Sequence, residues 1–183
     1  DRGADINQAE NSGYTPLYIA SQNGHVDVVR ALLDRGADIN QARNDGATPL
    51  YIASQNGHVE VVRALLDRGA DVNQAMNNGY SPLFGYSPLI IASQQGHVEV
   101  VRALLERGAD INQGRNDGAT PLYIASENGH VEVVRVLVYR GADMNKAANE
   151  GTPPLQTAIS RNHTEIIQLL QLAAQKQPSA WQI

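Results

Sequence analysis

The sequence predicts an all-α solenoid of stacked helix-turn-helix units joined by hairpin-like loops. Three observations carry that prediction. A segment of 33 residues repeats along most of the 183-residue chain. Each copy opens on a Pro that suits the first turn of a helix and runs into two short apolar stripes at helical spacing. Glycines then end the helical stretches. One such helix pair is too thin to bury its own stripe, so neighbours must bury it for one another and three or more units are needed.

The copies define the units. "GYTPLYIASQNGHVDVVRALLDRGADINQARND" begins at Gly13, and close copies begin at Gly46 and Gly118. "GTPPLQTAISRNHTEIIQLLQ" begins at Gly151, again 33 residues on. Between them "GYSPLFGYSPLII", residues 79–91, says its opening twice. Gly79 is in phase with the upstream copies and Gly85 with the downstream ones, so six extra residues sit between. Asp1 to Asn11 match Asp34 to Asn44 except for Glu10 in place of Arg43, so the chain starts in the tail of an earlier unit. The units are therefore a partial repeat at 1–12, then 13–45, 46–78, 79–117 with the six-residue insertion, 118–150 and 151–172, followed by a tail at 173–183.

Within a unit each element has a local cause. Thr15 caps a free N–H and Pro16 takes the first helical position. Leu17 and Ala20 share one face of a short helix that Gly24 ends. Val28, Val29, Leu32 and Leu33 form the second stripe, and Gly36 suits a left-handed cap. "GADIN" leads into a polar turn. In the doubled stretch the second copy is structural: Ser87 caps, Pro88 opens the helix, and Leu89 and Ala92 enter the core. A helix starting at Pro82 would carry Pro88 in its interior, at about 3 kcal/mol or more. Residues 79–84 are thus expected as an enlarged loop that holds Tyr80, Phe84 and Tyr86 near each other, an aromatic cluster of the kind that anchors a partner. Two other readings compete: a duplication scar folded onto its own repeat, or the stub of a sixth repeat.

The ends differ from the middle. No helices precede the first full repeat, so part of its Leu17/Val28 face is expected to lie open. In the last repeat Gln156 and Thr157 replace a Tyr-Ile pair, while Gln168 and Gln171 replace Arg135 and Val138. That polar outer face suits a terminal unit. Trp181, the only Trp, stands in the tail, either loose or docked on the last repeat.

Composition excludes several functions. Net charge is −5, which argues against nucleic acid as a general partner, since phosphate binding needs clustered Lys and Arg. There is no Cys, hence no disulfide and no thiolate chemistry, and no run of 18 apolar residues. All five His (His25, His58, His97, His130, His163) hold one repeat position. Side chains at equivalent places in stacked helices stand about 8–10 Å apart, so they cannot converge on a metal. They read as hydrogen-bonding the turn between helices. Ser21, His25 and Asp38 offer triad ingredients, yet the trio recurs, which marks scaffold rather than catalysis. No cofactor motif is present. Arg30–Asp34, Arg63–Asp67 and Arg102–Glu106 read as i,i+4 surface pairs.

The period together with "TPL…A…GH…VV..LL..GAD.N" strongly resembles the ankyrin repeat, over Asp1 to about Leu172. The family's usual His after TPL is Tyr18, Tyr51, Ile90, Tyr123 and Gln156 here. The resemblance implies a non-catalytic scaffold that binds another protein through hairpin tips and first helices, and it favours an intracellular setting. Carried over by position, the binding residues are Asn44, Asp45, Asn77, Asn78, Asn116 and Asp117 at the tips. Gln55, Asn56, Gln94, Gln95, Glu127 and Asn128 at helix ends join them, with Tyr80, Phe84 and Tyr86 from the doubled stretch. Another protein is the expected partner, with no nucleic acid and no membrane. The chain is expected as a monomer, with self-association open through the uncapped first repeat. The family's "GAD.N" Asn is also a substrate of asparaginyl hydroxylases, which points to Asn40, Asn73, Asn112 and Asn145. The near-identity of the repeats equally suits recent duplication, a repetitive partner, or an idealised engineered array with no native partner. The opening residues suit a regulatory segment of a larger protein.

Overall fold

The computed structural model of the chain describes residues 5–76, 85–148 and 151–176. Those residues form five helix pairs. The pairs are α1 (Pro16–Gln22) with α2 (Val26–Asp34), α3 (Pro49–Gln55) with α4 (Val59–Asp67), α5 (Pro88–Gln95) with α6 (Val98–Glu106), α7 (Pro121–Asn128) with α8 (Val131–Tyr139), and α9 (Pro154–Ser160) with α10 (Thr164–Lys176). The odd-numbered helices pack side by side in one row and the even-numbered helices in a second row behind them.

Each first helix begins where its side chains allow. Thr15, Thr48, Ser87 and Thr120 sit in extended backbone. Their hydroxyls accept the N–H of Tyr18, Tyr51, Ile90 and Tyr123 at 3.1, 3.1, 3.3 and 3.2 Å. A proline follows each cap, its missing N–H being one that the helix would leave unpaired. Pro153 holds the cap position of α9 and makes no side-chain cap bond. After α2, Gly36 turns left-handed at φ 85°. The N–H groups of Gly36 and Ala37 then reach the carbonyls of Leu33 and Leu32 at 3.0 Å each. The last turn is closed through a conformation that a side chain would strain.

The core fills the space between the two rows. Leu17, Leu50, Leu89 and Leu122, with Val29, Val62, Val101 and Val134, are at most 1% exposed. A Leu→Ala change at such a site costs about 2–5 kcal/mol.

Two ladders of hydrogen bonds set the register between repeats. The Nε2 atoms of His58, His97, His130 and His163 lie 3.0, 3.0, 2.7 and 3.0 Å from the carbonyl oxygens of Gln22, Gln55, Gln94 and Glu127. Each imidazole therefore donates to the end of the first helix one repeat earlier. The Oδ1 atoms of Asn7, Asn40, Asn73 and Asn112 accept the N–H of Asp38, Asp71, Asp110 and Asp143 at 2.8–3.0 Å. The invariant look of His and Asn in the repeat thus has a mechanical cause.

The doubled stretch resolves in part. Ser87 is the cap, Pro88 opens α5, and Leu89 and Ala92 are buried in the core. Met76 pairs with Tyr86 in an isolated antiparallel bridge, and the Gly85 N–H donates to the Met76 carbonyl at 3.0 Å. Arg43, Gly46 and Ala47 close the preceding hairpin by the same pattern. α3 packs directly on α5 and α4 on α6, so no further helix pair stands between these repeats. The proposed loop at 79–84, and Trp181 in the tail, lie outside the described residues.

Three expectations change. Leu17 is 1% exposed, as buried as Leu50, because it points between the rows rather than towards the open end. Val28 does lie open, at 49% against 1% for Val61. The last helix runs to Lys176, four residues past Leu172, because no glycine follows it as Gly141 follows α8. Finally, the expected i,i+4 ion pairs reach elsewhere. Asp34 meets Arg68 at 2.6 Å, Asp67 meets Arg107 at 2.5 Å, and Arg63 faces Glu106 at 3.8 Å. The ends of neighbouring second helices lie side by side, and their charges pair across that seam.

Candidate functional site

The loops that join the repeats lie against the first-helix row. Tyr14, Met76 and Tyr86 pack on a cluster of Tyr18, Ala47, Tyr51, Ile52 and Ile91. Loop tips and first-helix ends therefore belong to one surface.

Two of the tips are built alike. Arg43 reaches across to Asp45 through Nε at 2.9 Å and through a second, shorter contact, and donates to the Tyr14 hydroxyl at 2.7 Å. Its guanidinium lies 5.0 Å over the Tyr14 ring and 5.5 Å over that of Tyr18. Arg115 repeats this with Asp117 and Tyr86, at 2.9 Å to the carboxylate, 2.6 Å to the hydroxyl and 5.2 Å over the ring. The carboxylates also accept the N–H of Ala47 and Ala119 at 3.1 Å. The guanidinium beside each holds Asp45 and Asp117 below the usual carboxylate range. Burial pushes the Tyr18 and Tyr51 hydroxyls up to about 12.

Asp45 and Asp117, expected as contact residues, are thus committed inside their own tips. Asn44 and Asn116 between the clamps are exposed. Arg43 and Arg115 were missed from sequence. Their signal is a pairing 29 residues apart: Tyr14 with Arg43 and Tyr86 with Arg115, where the alternate repeats have Ala47 with Met76 and Ala119 with Ala148. Among the described residues, tips with this clamp alternate with tips that have no Arg at its position.

At the helix ends, Asn56, Gln95 and Asn128 are exposed, while Gln55, Gln94 and Glu127 are half-buried. The Asn56 amide donates to the Gln22 carbonyl at 2.9 Å, and the Asn128 amide to the Ile124 carbonyl at 2.8 Å. Glu127 accepts from Arg161 at 2.7 Å. A polar cavity opens between α5, α7 and α9, walled by Gln94, Arg115, Glu127, Asn128 and Arg161. Asn77, Asn78, Tyr80 and Phe84 lie outside the described residues, whereas Tyr86 stands at the clamped tip beside Arg115. Of the hydroxylation candidates, Asn40, Asn73 and Asn112 are half-buried rungs of the asparagine ladder, and Asn145 is exposed.

Five stacked helix pairs with loops and first-helix ends on one polar surface define a helical repeat solenoid. The family model for ankyrin repeats matches it in three copies, over residues 2–76, 75–148 and 114–179, and the chain belongs to that family. Ankyrin repeats are generally protein-interaction modules, and the fold is typically non-enzymatic. None of the curated proteins compared with the chain matches it. Among the described residues no helix is long and apolar enough to cross a membrane.

Proposed function

We propose that the chain is a non-catalytic scaffold that holds another protein along its loop tips and first-helix ends, most tightly at the cavity between α5, α7 and α9. The observation that supports this is a break in the repetition at that cavity. Elsewhere the helix ends read Gln22-Asn23, Gln55-Asn56 and Gln94-Gln95; here they become Glu127-Asn128 and Ser160-Arg161. A uniform row offers an asymmetric partner no preferred seat, and binding energy concentrates in a few local residues. Glu127 and Arg161 place one charge of each sign beside Gln94 and Asn128.

The test compares two double variants as baits for protein from a cell lysate. Glu127→Gln with Arg161→Gln should weaken capture of whatever the unaltered chain retains by tenfold or more, a loss of about 1.4 kcal/mol. Arg63→Ala with Glu106→Ala, on the second helices, should retain it. Equal weakening by both pairs, or none by the first, would remove the support for this surface.

A further inference from the structure

The seams between neighbouring second helices follow one rule until the last of them. The final residue of a second helix is an acid that meets an arginine of the next repeat. Asp34 meets Arg68 at 2.6 Å, Asp67 meets Arg107 at 2.5 Å, and Glu106 meets Arg140 at 3.9 Å. At the seam between α8 and α10 the same two positions hold Tyr139 and Ala173. The acid's position recurs once more in α10, where it is Leu172.

What replaces the charges is apolar and open. Tyr139 is 86% exposed and Leu172 57%, more than any other large hydrophobic side chain among the described residues. With Val138, Leu169 and Ala173 they line a groove between the two helices. Arg135 and Glu165 pair at 3.4 Å towards its far end, and Lys176 stands at the near one. Contiguous apolar surface left open in this way marks a place where something docks.

The sequence supplies an occupant beside it. α10 runs to Lys176, and Gln177-Pro178-Ser179-Ala180-Trp181-Gln182-Ile183 follows directly. This stretch has no charged side chain and holds the only Trp in the sequence. Pro178 lacks the N–H that would carry the helix on. A four-residue turn from Lys176 to Ser179 would leave Ala180 and Trp181, about 7 Å of extended chain, to run back along α10. Leu172 lies four residues before Lys176, about 6 Å along the helix. The indole is thus within reach of the groove after a single reversal of the chain. Trp181 and Ile183 stand two apart, so in extended backbone both face one way.

We propose that residues 177–183 fold back along α10 and seat the Trp181 indole in the α8/α10 groove, against Tyr139 and Leu172. A large flat ring suits a shallow apolar groove that already offers an aromatic face, and its N–H stays on the open side, where water satisfies it. The segment then covers the one seam that lacks the acid–arginine pair of the others.

Trp181 is its own reporter, because no other Trp competes with it. In the full chain its fluorescence should lie to the blue of that from a peptide of residues 177–183. Acrylamide should quench it about twofold less than in the peptide, since packing on two side chains shields the ring. Tyr139→Asp with Leu172→Asp puts at both sites the residue that Asp34 and Asp67 supply in other repeats. Both sites are exposed, so the helical circular dichroism should persist while emission and quenching return to the peptide's values. Nuclear Overhauser contacts from the indole protons to the Leu172 methyls of the unaltered chain should locate the ring, and they decide the matter alone if the variant loses helicity. An indole as quenchable as in the peptide would overturn the proposal and leave the groove to another protein. Shielding that survives the double variant, or contacts only to a different face, would overturn it too. Shielding that disappears on dilution, with a dimer seen by sedimentation, would seat the indole of a second copy in the groove and refute the fold-back.

Discussion

Single side chains in this protein act mainly as rungs and clamps. Asn73 bridges two repeats through the Asp110 N–H, whereas Asn145 is exposed and bridges to no later repeat among the described residues. Asn73→Ala should therefore lower stability by about 0.5–1.5 kcal/mol in urea unfolding, the net worth of one such bond, and Asn145→Ala should leave it nearly unchanged. The clamps make a pH-dependent contribution. Asp45 and Asp117 have folded pKa values below the ordinary range, so the stability they add is complete above that range and drains as pH falls through the folded values. Asp45→Asn with Asp117→Asn should lower the urea midpoint near pH 7, and the gap to the unaltered chain should narrow below about pH 4. A gap that stays constant down to pH 2 would show that the carboxylates are not held this way. Much of this scale was hidden in the sequence. That His holds a structural position could be read from its recurrence; that the GAD.N Asn does so could not. That Arg43 turns its guanidinium onto Tyr14 and Asp45 could not, because a lone Arg in a polar turn looks like solvent-facing charge until the neighbouring tip is in place.

At the level of elements, the repeat pattern made the helices legible almost residue by residue. Thr-Pro, Ser-Pro and glycine are local signals whose physics needs no neighbour, and α1 to α8 start where those signals stand. The misreadings came from long-range geometry. Leu17 and Val28 belong to the same unit, but one points between the rows and the other along the solenoid axis, which helical spacing alone does not distinguish. Helical spacing pairs Arg63 with Asp67 on its own helix, whereas Glu106, in the next repeat, is the acid it faces. The extra six residues illustrate how little a stacked array depends on its loops. Eight residues separate Met76 from Gly85, where two separate Arg43 from Gly46, yet the closing hydrogen bonds are of one kind. Deleting residues 79–84 should leave the helical far-ultraviolet signal intact and raise stability by about 1 kcal/mol, the closure entropy of a fourfold longer loop. A collapse of the fold after that deletion would show that the first copy of the motif carries structure.

For the whole molecule, two ladders and one continuous core hold five helix pairs in register, and the surface left over is divided by use. Between the second helices, charges bridge from one repeat to the next. Along the first-helix ends, exposed and half-buried amides and one ion pair form a row, with their sequence variety gathered between α5 and α9. The fold and its family could be read from the period and the motif that recurs within it. The position of the candidate site could not, because the change to Glu127-Asn128 and Ser160-Arg161 singles out no site until the cavity brings those residues together. The central claim is that partners are met on that row, and site-specific photocrosslinking addresses it most directly. A photoreactive residue placed at Gln95 and, in a separate protein, at Arg63 would be illuminated in a cell lysate and the adducts sequenced by mass spectrometry. The account predicts adducts to a common partner from position 95 and few from position 63. The same partner captured chiefly from position 63, with position 95 silent, would contradict it.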